Sequence, residues 1–523
     1  MLAWTIYSSF LGMLVLMLLP PGRPALARKV ALISSIAGLI AALGGAFEHG
    51  HGGEIKTIIK LHWLPVLGSD YYLAADGISV VLVLLTSVAC LCGILFSWNI
   101  EHRAKEFFAL YLALIAGVYG VFLSFDLLVF FMFYELAIIP KYFLIAIWGS
   151  TRREYGAMKL ALYSFVGSAM VLIGIFAVYT LAASHTGVRT FDLIALGKVA
   201  LPASVQFWAF PMVFIGFAIL AGMWPFHTWA PTGHVAAPTA ASMLLAGVVM
   251  KLGAYGALRV AMGLFPLGVK AWQNEVAILA TIGIVYGAMV ALVQKDFKFV
   301  IGYSSVSHMG FVLLGMVTLN EIGVSGAVLQ MVSHGVIAGL LFGVVGRMIY
   351  DRTHTRDLDE LSGMNLSRVL PFAAVTFVLA AAASMGLPGF SGFVAEMSVL
   401  IGAWHAFPPA ALAAGVGIVI GVAYLLRALQ LAFFSDGVSA ARPESSSSEG
   451  RGDAPAHEHG NGNGHGHGHG HGDLPPITVQ ERVGAAILLA VSLAIGLYPR
   501  LMLDWIVPSV VPFLDALRKG SAG

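Results

Sequence analysis

Cysteine is nearly missing from this chain: 2 residues in 523, Cys90 and Cys92, both inside one apolar run. Two such residues exclude a disulfide framework, a four-cysteine zinc site and a cysteine-ligated iron–sulfur cluster. Charge is scarce as well. Asp, Glu, Lys and Arg make up 11% of the chain, and 29 basic against 27 acidic residues leave a formal charge of +2. So close a balance offers no basic surface for nucleic acid. No strand is evident, so no Gly-rich dinucleotide fingerprint follows one, and no Walker loop is present. GVGIVIG at 415–421 lies within an apolar run and reads as packing. Any redox or hydrolytic energy that drives this protein comes from outside the chain.

What is present is hydrophobic. The apolar share is 59%, above the 45–50% of a soluble domain, and the mean hydropathy is +0.86. A transmembrane helix needs about 20 apolar residues. Runs of sufficient length fall near 2–20, 30–47, 77–98, 106–123, 126–147, 158–184, 207–226, 238–262, 276–293, 299–318, 323–349, 368–404 (interrupted near 390), 410–434 and 484–507. The pattern predicts an all-α polytopic membrane protein of about 14 transmembrane helices. The first run has no positive n-region and no A-x-A cleavage site, so it reads as a retained helix. An even number of spans puts both termini on one side. Of the 29 Lys and Arg, 17 fall in odd-numbered connections and 6 in even-numbered ones, which places both termini outside the cytoplasm. Residues 435–480 break the pattern. They are rich in Ser, Gly, Asn and His and read as a disordered cytoplasmic connection. Their histidines, His457, His459, His465, His467, His469 and His471, suit at most loose binding of Zn or Ni.

Five ionisable groups sit near the middle of apolar runs on five different helices: Glu135, Lys251, His308, His334 and Glu396. A charge at the bilayer centre costs about 2.5–3.5 kcal/mol on insertion scales, so each is a functional-site candidate. A lone histidine often does no more than hydrogen-bond a neighbouring helix. An unpaired acid or ammonium in hydrocarbon neutralises itself, so Glu135 and Lys251 call for partners or water. Bundled together, the five form a midplane layer of acids, bases and imidazoles, the material of a proton relay. Arg427 is also mid-helix, but a long arginine can snorkel or bind backbone carbonyls. Two runs look interrupted. WPFHTWAPTGHVAAPT carries Pro225, Pro231 and Pro238 with His227 and His234, and MGLPGFSGFVAE carries Pro388 among glycines. Such breaks survive in a membrane only where they line protein or a water-filled cavity. They lie five helices apart, the placement expected if helices 4–8 and 9–13 are inverted repeats.

FYELAIIPKYFLIAIWG, PFHTWAPTGHVAAPTAASMLLAGVVMKLGAYGALR, LVQKDFKFVIGYSSVSHMGFV, MVSHGVIAGLLFGVVGRMIYDRTHTRDLDELSG and MGLPGFSGFVAE closely resemble the antiporter-like membrane subunits of respiratory complex I, over residues 70 to 435. The resemblance implies a proton-translocating subunit of NADH-quinone oxidoreductase in the bacterial inner membrane. Its division would be an N-terminal segment 1–98, repeats 99–265 and 266–434, a His/Gly-rich loop 435–483 and a last helix 484–523. It implies that Glu135, Lys251, His308, His334 and Glu396 line a hydrated polar axis. The chain would bind no cofactor itself, with NADH, FMN, iron–sulfur clusters and quinone in partner subunits, among them other antiporter-like subunits. The sequence departs from the family at Leu220, where a lysine partner of the fifth-helix glutamate is expected, and at Thr232, where an acid is expected. Lys141 is a candidate replacement. It lies six residues from Glu135, about 9 Å along the axis and 240° around it, off the glutamate's face. His227 is a second candidate. Subunits of monovalent cation/proton antiporters and of membrane-bound hydrogenases share this ancestry and are the alternative reading; the wording SSVSHMG and YDRTHTRDL favours complex I.

Overall fold

The computed structural model describes residues 1–435 and 474–520. The histidine-rich segment, with the weak metal candidates His465, His467, His469 and His471, lies outside the described residues. Among the described residues, twelve helices are long and apolar enough to cross a membrane. The other two apolar runs are helical but shorter or broken. In chain order the helices are α1 (Ala3–Leu18), α2 (Pro24–His49), α3 (Gly77–Phe96), α4 (Ala104–Leu123), α5 (Leu127–Trp148) and α6 (Arg153–Thr186). They continue with α7 (Ala203–Ala236), α8 (Thr239–Met262), α9 (Pro266–Val293), α10 (Phe297–Val317) and α11 (Glu321–Thr353). The last spans are the two halves of α12 (Pro371–Ser384 and Ser391–Ala406), α13 (Pro408–Phe433) and α14 (Val479–Leu497). Start signals are local. Asp76, Asp126 and Asp296 accept from backbone N–H groups of the first turn, and proline opens α2, α9, α12 and α13, where its missing donor is harmless.

The predicted breaks are real. The first half of α7 ends at Ala221, followed by Gly222 at φ 82°, and α12 breaks between Ser384 and Ser391 around Gly386 and Gly389, both at positive φ. Two expectations need correction. Residues 56–75 are not strand-free: β1 (Lys56–Leu64) and β2 (Ser69–Ala75) pair antiparallel. Alternating Ile, Leu, Trp and Tyr with Lys and His is a half-buried strand pattern, outweighed in the sequence by its long apolar neighbours. The last run also does not continue to 507. It stops at Leu497, and α15 (Arg500–Gly520) follows as a separate helix after Pro499. The preceding connection is shorter than expected, since α14 already begins at Val479, where Thr478 and Glu481 form a capping box.

One end of the bundle, the hairpin face, gathers the hairpin, residues 124–126, residues 190–193 and α15. Lys60 Nζ reaches Asp192 Oδ2 at 2.7 Å, and Gly77 N donates to Ser509 Oγ at 2.8 Å. A Cβ on Gly77 would lie 1.8 Å from Trp505 O, so α15 fits only on a glycine here. The opposite face carries most of the basic residues. There Glu481, 1% exposed, takes Arg347 at 2.7 Å and Arg352 at 2.8 Å, and Arg352 also donates to Pro475 O and Pro476 O. This cluster ties α14 to the end of α11. Glu481→Ala would leave the Arg352 guanidinium without its carboxylate and Arg347 with Asp351 alone, and breaking a buried pair from one side costs about 3–5 kcal/mol. The expected result is reduced assembly of the chain into its complex, measured by quantitative native electrophoresis, with Glu481→Asp recovering part of it.

Candidate functional site

The site is built where glycine lets helices touch. A Cβ on Gly335 of α11 would meet Gly247 O of α8 at 2.6 Å, and a Cβ on Gly247 would meet Gly335 O at 3.1 Å. That mutual approach lets two short-range side chains meet across the helices. Lys251 Nζ lies 2.7 Å from His334 Nδ1 and also donates to Ala246 O. Lys251 has no exposed surface. It occupies the α-helical stretch Met250–Gly256, flanked by π-helical turns at Leu245–Val249 and Ala257–Met262, features that recur at functional sites.

From His334 the chain of polar groups continues. The rings of His334 and His308 are 5.3 Å apart between centroids, and His308 Nδ1 lies 3.0 Å from Glu396 Oε1. Ser384 Oγ approaches His308 Nε2 at 3.2 Å and Gln330 Nε2 approaches its Nδ1 at 3.3 Å. A small cavity is lined by His308, Gln330, Ser333, His334, Ser384 and Glu396. The break in α12 is what turns Glu396 into it. Gly386 is left-handed at φ 72°, and a Cβ there would sit 3.1 Å from Glu396 Oε2, so both backbone and contact call for glycine.

Four of the five expected residues are thus brought together: Lys251, His334, His308 and Glu396. Glu135 stands apart. It is half-buried on α5, and its Oε1 has no hydrogen-bond partner. Lys141 is fully buried, with its Nζ likewise unpartnered. Leu220 is 1% exposed in the first half of α7, which Gly253 of α8 approaches closely enough that a Cβ would meet Phe217 O at 2.4 Å. His227 packs on Tyr286 and Tyr303. Arg427 donates to Leu292 O and Gln294 O at 3.0 and 2.8 Å, so it fastens the end of α9 and stands apart from the other four. Gln330 and Ser384 were missed in the sequence. Gln330 carried a signal, since it precedes His334 by four residues and shares its helix face. His234 is also fully buried, stacked on Phe342 at 4.9 Å with both ring nitrogens unpartnered.

Broken helices around a buried lysine–histidine–carboxylate series define an antiporter-type membrane subunit, and residues 124–421 match the family NADH:quinone oxidoreductase/Mrp antiporter, TM. The chain is 38% identical over 499 residues to NADH-quinone oxidoreductase subunit M of Rhodobacter capsulatus, covering 94% of this chain and 91% of that one. It is 38% identical over 403 residues to subunit M of Rickettsia prowazekii (strain Madrid E), covering 76% and 80%. The chain belongs to the subunit M family of NADH-quinone oxidoreductase. It is therefore a membrane subunit of an enzyme complex. Respiratory complex I from Thermus thermophilus with bound NADH contains a chain that superposes with a TM-score of 0.83 at 26% identity, covering 100% of both chains. A chain of the Mrp complex from Dietzia sp. DQ12-45-1b shares the fold, with a TM-score of 0.81 at 22% identity over 100% and 99%.

Gly335→Ala should separate α8 from α11 and lengthen the Lys251–His334 contact. The expected outcome is at least a tenfold loss of proton pumping per NADH in vesicles with assembly retained; an unchanged ratio would show that the close approach is not needed.

Proposed function

We propose that this subunit moves protons through the buried series Lys251, His334, His308 and Glu396, driven by quinone reduction in partner subunits of NADH-quinone oxidoreductase. The observation that carries this reading is the closeness of the four groups, with contacts of 2.7 and 3.0 Å at the ends of the series, the two rings 5.3 Å apart and a small cavity lined by both. Lys251 holds a proton taken from the opposite face, and Glu396 is the group near which it is expelled. Against 100 mV each proton needs about 2.3 kcal/mol, comparable to a pKa swing of under two units at 1.36 kcal/mol each. Rearranging one buried pair is enough. The chain carries out no redox chemistry; NADH, FMN, iron–sulfur clusters and quinone belong to its partners, with other antiporter-like subunits as neighbours in the bilayer.

We assign residues 99–265 and 266–434 to two inverted repeats. The support is a matching hydrogen-bond pattern at the two ends of the bundle. Leu127 N bonds Phe191 O and Leu193 N bonds Phe125 O; likewise Phe297 N bonds Arg356 O and Leu358 N bonds Lys295 O. TFDLIAL at 190–196 and TRDLDEL at 355–361 supply the matching aspartate caps. The hairpin face is the non-cytoplasmic one, because basic residues concentrate on the other. A second reading, a subunit of a cation/proton antiporter, is favoured by the likeness to the Mrp chain. Sodium-sensitive growth after deletion would support it.

Lys251→Ala should abolish or sharply reduce pumping while quinone reductase activity falls less; full pumping sinks the assignment. For Glu135 the replacement cation is Lys141. Lys141→Leu should lower pumping in reconstituted vesicles, and an unchanged rate removes Lys141 from the path.

A further inference from the structure

Lys251, Tyr255 and Arg259 follow one another at four-residue spacing in α8. That spacing puts them on one helix face, with Arg259 about 12 Å from Lys251 toward the hairpin face at 1.5 Å per residue. The basic-residue count treats Arg259 as a marker of an even-numbered connection. In the structure it is only 7% exposed and lies 2.5 Å from Oδ2 of Asp76, itself 2% exposed. Its guanidinium also lies over the rings of Phe125 and Tyr255, at 5.3 and 5.5 Å, while its Nε is buried without an acceptor. The Tyr255 hydroxyl donates to Phe122 O at 3.1 Å and meets Ser79 Oγ at 3.0 Å. Asp76 caps α3 through Ser79 N, directly beneath the α15 contact at Gly77. The end of the lysine-bearing helix is therefore closed by the guanidinium of Arg259, held by Asp76 at the cap of α3, by Phe125 just after α4 and by Tyr255 on its own helix.

A buried ion pair is weak evidence for stability, because well-packed apolar residues often hold a fold as well or better. A fixed guanidinium does something an apolar plug cannot: it repels protons and cations from a pore. We propose that Arg259 is the charge barrier on the hairpin-face side of Lys251, pinned by Asp76 and the Phe125 and Tyr255 rings. It stops a proton from leaving along the lysine's own helix and sends it on through His334. The proposal rests on Lys251 as a proton holder, and it makes Arg259 and Asp76 positioning residues that touch no reacting atom.

The test is passive leak, read without turnover. Vesicles containing the assembled complex receive an imposed pH gradient, and its decay is followed with a pH-sensitive dye. Arg259→Gln is expected to speed the decay several-fold, while Arg259→Lys, which keeps a cation against Asp76, decays at the wild-type rate. Arg259→Gln vesicles as tight as wild type overturn the proposal. So does an Arg259→Lys leak equal to that of Arg259→Gln, which would mark the pair as a packing device alone. If glutamine blocks assembly, Arg259→His reads the charge in a single protein: its leak is expected to rise as pH is raised through the imidazole range, and a leak independent of pH overturns the barrier. None of these outcomes depends on pumping, so the role of Lys251 stands or falls separately.

Discussion

A lysine Nζ with no exposed surface, 2.7 Å from an imidazole, sets the terms for everything around it. Hydrocarbon does not tolerate an unpaired charge, so Lys251 persists only while His334 and Ala246 O receive its protons. Meeting that demand needs α8 and α11 at backbone distance, which Gly247 and Gly335 permit. It also needs a polar continuation beyond His334, which the break in α12 supplies by turning Glu396 toward His308. A small cavity lined by His334, His308 and Glu396 adjoins the same histidine.

The same economy explains where the remaining charge sits. Arg427 binds carbonyls at the end of α9, Arg347 and Arg352 share Glu481, and Arg259 takes Asp76. Each of these arginines fastens a helix end, where free carbonyls and capping carboxylates are available. Lys251, His334, His308 and Glu396 instead occupy the middle of their helices, where each meets another side chain and Lys251 adds the carbonyl of Ala246.

Much of this was legible in the sequence because a membrane simplifies the reading. Long apolar runs mark helices, and a charge inside one demands a reason, so Lys251, His308, His334 and Glu396 stood out. Proline and glycine clusters announced the breaks in α7 and α12. The hairpin was hidden because nine- and seven-residue strands give a weak signal beside 20-residue runs. The separate helix α15 was hidden because its apolar half continues the hydropathy of α14, and only Pro499 marks the turn. Gln330 and Ser384 were invisible as site residues because uncharged polar side chains are common in helices, and only the approach of three helices makes them neighbours of His308. For the proposed inverted repeats the sequence offers only spacing; the Thr-x-Asp-Leu turns at 190–193 and 355–358 take on meaning once their hydrogen bonds are seen to match.

The central claim is that Lys251 and Glu396 are two stations on one path. A double-mutant cycle on the proton-per-electron ratio tests it most directly, using Lys251→Ala, Glu396→Gln and the double variant in energised vesicles, with quinone reductase activity measured alongside. Groups acting in series are non-additive, so the account predicts that the double variant pumps no worse than the poorer single one. Losses that multiply, each variant removing its own fraction of pumping, would place the two residues on separate paths and contradict it.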